Sequence, residues 1–158
     1  MRRLGCDDAT AVSKKEYETL LWLLAQMFFP ATINFSFDFL PLTKKYKHTY
    51  GNCAYHGGLL AEVKLHRTKV KTLTGQVPQE YEGVLNAASM SRLGTLLHEV
   101  CHAFLQCYTC KNCRQRDHNQ LGGHGFAWQR IACWAMYAAS HSLRLKLELS
   151  RFLAIQVN

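Results

Sequence analysis

With 158 residues, 48% of them apolar and 19% charged, the chain has the make-up of one globular domain, not of a fibrous, low-complexity or disordered polymer. Its longest apolar run, Leu20 to Phe29, is about half the length a membrane span needs. A net charge of +8 attracts polyanions, nucleic acid foremost, with a solubilising surface as the plain alternative.

Residues 1–12 read as a loose leader and 13–158 as a single domain. Ser13 and Glu16 have the spacing of a capping box and open a helix carrying Tyr17, Leu20, Leu21 and Leu24, which Pro30 ends. The mixed charges before the apolar run and Pro30 after it do not fit a secretory signal. Ile33, Phe35, Phe37 and Phe39 then alternate with Asn34, Ser36 and Asp38, the period-two pattern of a strand buried on one face. Two more strands, Tyr46 to Ala54 and Leu59 to His66, flank Gly57-Gly58 and predict a hairpin. Thr72 to Glu82, with Gly75 and Pro78, reads as a loop.

The clearest helix follows, with Leu93, Leu96, Leu97, Val100, Cys101, Phe104 and Leu105 at helical spacing, fading near Tyr108. A polar loop rich in Cys, Arg, Asn and Gly runs to Gly123. From about Gly125 a further helix places Trp128, Ile131, Ala132, Ala135 and Met136 on one face, and Trp128 and Trp134 read as core. In the tail from Ser142, Leu143, Leu145, Leu147 and Leu149 alternate like a strand, but the helix-forming composition favours helix. The order predicts an α+β fold, with a small antiparallel three-stranded sheet packed against helices.

His98-Glu99-Val100-Cys101-His102 fits His-Glu-x-x-His inside that strongest helix. Residues four apart share a helical face, so both imidazoles can reach one zinc ion, while Glu99 can reach a water on the metal without binding it. Zinc acidifies such a water; Glu99 would accept its proton as it attacks a peptide carbonyl and deliver a proton to the leaving amine. The plain alternative is a polar stripe on an amphipathic helix. A catalytic site needs a third protein ligand and an open fourth position. Positions 105 and 108 are Leu and Tyr, and the one downstream Glu is Glu148, which leaves Asp117, His118, His124 and the cysteines. His124 is the best placed, between glycines that let the backbone approach a crowded site and at the start of the next helix; His118 is the fallback.

Leu96-Leu97-His98-Glu99-Val100-Cys101-His102-Ala103, followed by Gly123-His124-Gly125 and Trp128, resembles the SprT-like (Spartan-type) zinc metallopeptidases, a family that includes a protease of DNA–protein crosslinks. Gly51-Asn52-Cys53-Ala54 and the Leu59–Leu65 strand extend the likeness, which covers about residues 14–140. The resemblance implies a zincin-like fold, zinc held by His98, His102 and His124, and Glu99 as base. It also implies that the strands around Tyr50 to Leu65 wall the substrate cleft, where an extended peptide can pair with an exposed edge. A nuclear or cytoplasmic endopeptidase acting on DNA-associated proteins is the function it implies. The loop from Cys107 to Gly123 is longer than the family's and carries its own cysteines, a variant that resembles fungal members. No bacterial-type zinc ribbon and no clamp- or ubiquitin-binding tail falls within these residues.

Seven cysteines without a secretory signal point to reduced thiols or metal ligands. Cys107, Cys110 and Cys113 are spaced to close a second, structural zinc site with His118, against the alternative of reduced loop thiols. The basic hairpin Lys44–Lys71 is a candidate docking surface for DNA, where Tyr50 and Tyr55 can stack on bases or simply pack. A second basic cluster is Lys111, Arg114 and Arg116. His48, His56 and His66 read as surface or strand histidines, and Tyr108 and His56 are the candidates for an oxyanion stabiliser. Two rival functions stand beside the protease: a non-enzymatic nucleic-acid-binding module with structural zinc, which a fourth strong ligand would favour, and a metal-dependent hydrolase of a non-peptide amide, which a closed pocket would favour.

Overall fold

The computed structural model describes residues 2–69, 86–110 and 123–151. Its first long helix, α1 (Lys14–Phe28), starts as its sequence dictates: Ser13 Oγ accepts from the Glu16 amide while the Glu16 carboxylate accepts from the Ser13 amide. Tyr17, Leu21, Leu24 and Ala25 form its buried face. Strand β1 (Asn34–Phe39) follows, with Phe37 stacked on Tyr17 at a centroid distance of 4.2 Å.

Strands β2 (Gly51–Gly57) and β3 (Leu60–Leu65) form the expected antiparallel hairpin. Gly57 (φ 100°) and Gly58 (φ 58°) supply left-handed backbone at its turn, beside a register shift between Tyr55 and Gly57. The predicted strand from Tyr46 begins later, because Lys44–Tyr46 forms a 3-10 turn. The sheet as a whole is mixed, not antiparallel: the order is β1-β3-β2, and β1 pairs with β3 in parallel, Phe37 opposite Val63. Ala61, Val63 and Leu65 are at most 1% exposed, so β3 takes the centre of the sheet and the chain between β1 and β2 skips past it.

Helix α2 (Ala87–Tyr108) is the hub. Its apolar residues Met90, Leu93, Leu96, Leu97, Val100, Cys101 and Leu105 build the main core with α1, the sheet and α3 (Phe126–Ser142). The face expected to be polar is covered as well, for every residue from Ser89 to Cys101 is buried. The leader covers part of it. Residues 2–12, read above as loose, carry buried Leu4 and Ala9, and the Arg92 guanidinium donates to the carbonyls of Leu4, Cys6 and Asp7.

Two further expectations change. The tail from Leu143 to Ser150 is not helical; it runs as irregular chain with Leu147 and Leu149 buried, and Arg144 (φ 55°) and Ser150 (φ 57°) adopt left-handed backbone, which breaks a helix. Trp134 is 67% exposed and lies not in the core but on the outer face of α3, with Phe126 and Tyr137. The core side of α3 is Trp128, Ala132, Ala135 and Ala139. The predicted loop Thr72 to Glu82 and most of the polar loop before Gly123 lie outside the described residues. No described helix is long and apolar enough to cross a membrane.

Candidate metal centre

His98 and His102 lie one turn apart on α2, and His124 immediately precedes Gly125, the N-cap of α3. Packing of α3 on α2 through Trp128 brings the third imidazole to the other two. The three Nε2 atoms form a nearly equilateral triangle: 3.2 Å from His98 to His102, 3.1 Å from His102 to His124 and 3.0 Å from His124 to His98. A tetrahedral zinc with nitrogens at about 2.0–2.1 Å separates them by about 3.3 Å, close to these edges. Among the described residues this is the one cluster of three or more His, Cys, Asp or Glu with ligand atoms within 4.8 Å of one another. The donor set therefore fits a metal ion held on one triangular face.

The tautomer of His98 is set by its surroundings. Its Nδ1 lies 2.7 Å from the Leu149 carbonyl oxygen, which can only accept, so Nδ1 carries the hydrogen and Nε2 offers a lone pair toward the other two rings. Trp128, 1% exposed, floors the cluster, with ring centroids 4.6 Å from His98, 5.4 Å from His102 and 4.6 Å from His124. It is core, as expected, and also the wall that fixes the imidazole directions.

Glu99 is 5% exposed and is brought against the start of β2. A Cβ on Gly51 would stand 2.7 Å from Glu99 Oε1 and 2.8 Å from Thr95 Cγ2, so this glycine makes the room that the carboxylate occupies. Burial first, and the Glu99 charge second, push the thiols of Cys53 and Cys101 upward. Neither cysteine belongs to the cluster of ligand atoms. Strand β2 is the edge of the sheet on this side, hydrogen-bonded only to β3 among the described strands.

Among the described residues the other sequence candidates do not join this cluster. Cys107 sits on α2 and packs against the small cluster of Ile33, Ala61 and Ala103, whereas Cys110 is exposed; Cys113, Asp117 and His118 lie outside the described residues. The Tyr108 hydroxyl donates to the Thr32 carbonyl at 2.9 Å, and His56 lies 3.5 Å from Glu62 on the hairpin. Of the basic hairpin, Lys44, Lys45 and Lys47 are exposed, Lys64 pairs with Glu62 and Arg67 with Asp8; Lys71, Lys111, Arg114 and Arg116 lie outside the described residues. His66 is buried, and its Nδ1 accepts from the amides of Lys69 and Thr68, a structural turn.

Sequence reasoning missed Gly51 as the clearance for Glu99, and Leu149 as the partner of His98. The first had a signal, since an isolated glycine in a strand marks a close approach; a backbone carbonyl 51 residues away had none. No family model, curated protein or solved structure matches the chain.

Proposed function

We propose that this protein is a zinc-dependent endopeptidase with Glu99 as general base, of the kind its likeness to the SprT-like metallopeptidases implies. The observation that carries the reading is the convergence of three imidazole Nε2 atoms at 3.0–3.2 Å, with a buried carboxylate on the residue next to the first of them. Three protein nitrogens leave a fourth position for water, which is the pattern of catalytic rather than structural zinc. When bound, zinc supplies a Lewis acid that acidifies water and polarises a carbonyl.

The chain's own residues do the rest. The imidazoles of His98, His102 and His124 would hold the ion, with Trp128 packed beneath them. The Glu99 carboxylate accepts a proton from the attacking water and returns it to the amide nitrogen that leaves, so one group serves both halves of the reaction. The edge strand β2, which pairs with β3 among the described strands, is where an extended peptide would lie, and this favours a polypeptide over a small amide.

The test is proteolysis of an unfolded protein substrate by the zinc-loaded chain beside Glu99→Gln. The variant is expected to keep its fold and zinc while losing about 10²–10⁴-fold in kcat. Equal cleavage by both would overturn the role of Glu99; no cleavage of any protein or peptide by the wild type would overturn the peptidase reading.

A further inference from the structure

The segment after α3 crosses α2 at the metal site, and three observations tie it there. A Cβ on Gly94 would stand 2.6 Å from the Glu148 carbonyl oxygen, so the glycine lets this backbone lie directly on the helix. One turn on from Gly94, on the same helical face, His98 Nδ1 donates to the next carbonyl, that of Leu149. On the other side, Gln129 Nε2 donates to the carbonyls of His124 (3.4 Å) and Arg151 (3.3 Å), and its Oε1 accepts from Arg151 Nε at 3.3 Å. The buried side chains of Leu147 and Leu149 anchor the segment between these points.

We propose that residues 147–151 are a working part of the metal centre, so that metal affinity depends on the seating of this segment. Leu149 holds His98 in the tautomer and direction that binds, and Gln129 is a positioning residue that clasps the segment to the main chain of His124. This rests on the metal-centre reading and deepens it: two of the three ligands, from different helices, are steadied by one strap. Partners of this kind around a metal-binding histidine typically contribute about 10–100-fold to affinity.

The experiment measures zinc affinity by competition with a chromogenic chelator, and observes the His98 ring by NMR in the metal-free protein. Gly94→Ala pushes the strap off the helix without touching a ligand, and alanine favours helix, so α2 itself is not put at risk. It is expected to bind zinc about 10–100-fold more weakly and to lose the Nδ1–H form of His98. Gln129→Ala is expected to weaken zinc binding while leaving that His98 signal in place. Leu21→Ala, which opens a cavity on α1 outside the strap, is expected to lower Tm with little change in zinc affinity. Wild-type zinc affinity in Gly94→Ala, or a loss no greater than a like fall in Tm produces in Leu21→Ala, would overturn the strap. A wild type that binds no zinc would overturn the metal centre instead, while the His98 signal would still report whether the strap holds the ring.

Discussion

The space at position 51 is taken by the neighbour's carboxylate. With a Cβ there only 2.7 Å from Glu99 Oε1, Gly51→Ala has to displace either the carboxylate or the strand. The three nearest atoms it would meet belong to Glu99 and Thr95, so zinc content is expected to hold while kcat falls by about 10²-fold, the usual cost of a base misplaced by about 1 Å. Peptidase assay and elemental analysis of the same sample check this; a parallel loss of metal would show that the strand, not the carboxylate, had given way. His66 makes a separate prediction. Burial first, and the nearby Lys69 charge second, lower its pKa from 6.5. Its Nδ1 must stay unprotonated to accept from the two amides. The unfolded chain therefore takes up the proton first: the stability from this turn is complete above pH 6.5 and is lost as pH falls from there through the folded value. Urea unfolding between pH 5 and 8 should show a flatter profile in His66→Asn, whose side-chain oxygen accepts without titrating. An unchanged slope would remove His66 from the acid response.

Among the elements, α2 shows what local pattern can and cannot reveal. Its apolar spacing, from Leu93 to Leu105, and the two histidines on one face were legible because helical geometry alone fixes them. His124 was legible through its glycines and its place before a helix. The covering of the polar face was not, because the leader, β2 and the tail that bury Arg92, Glu99 and His98 come from three distant stretches of chain. The same holds for the tail, whose alternating leucines neither pair as a strand nor coil, but pack Leu147 and Leu149 under a crossing segment. In the sheet, the hairpin was readable from Gly57-Gly58, a local device. The parallel pairing of β1 was not, since it depends on which strand buries both flanks. Arg92 carries the element-scale prediction. Its guanidinium is 1% exposed and bonds the carbonyls of Leu4, Cys6 and Asp7. Arg92→Leu leaves the buried Leu4 carbonyl without this donor, at about 1–3 kcal/mol, and is expected to release the leader, read as faster amide exchange and proteolytic nicking within residues 2–12. Intact protection of the leader in that variant would contradict the docking role.

For the molecule as a whole, the metal centre is where α2, α3 and the C-terminal segment meet, with β2 alongside, so the ion would bind the folded chain and not the unfolded one and would raise its stability by mass action. The fold brings three imidazoles from positions up to 26 residues apart into one cluster over Trp128. On the proposed function, His98, His102 and His124 would hold the catalytic ion. The direct test is elemental analysis of the purified protein for zinc, in the wild type, Glu99→Gln and His124→Ala. At least one zinc per chain in the wild type, the same content in Glu99→Gln and one fewer in His124→Ala is the predicted result. Full zinc content in His124→Ala, or none in the wild type, would contradict it.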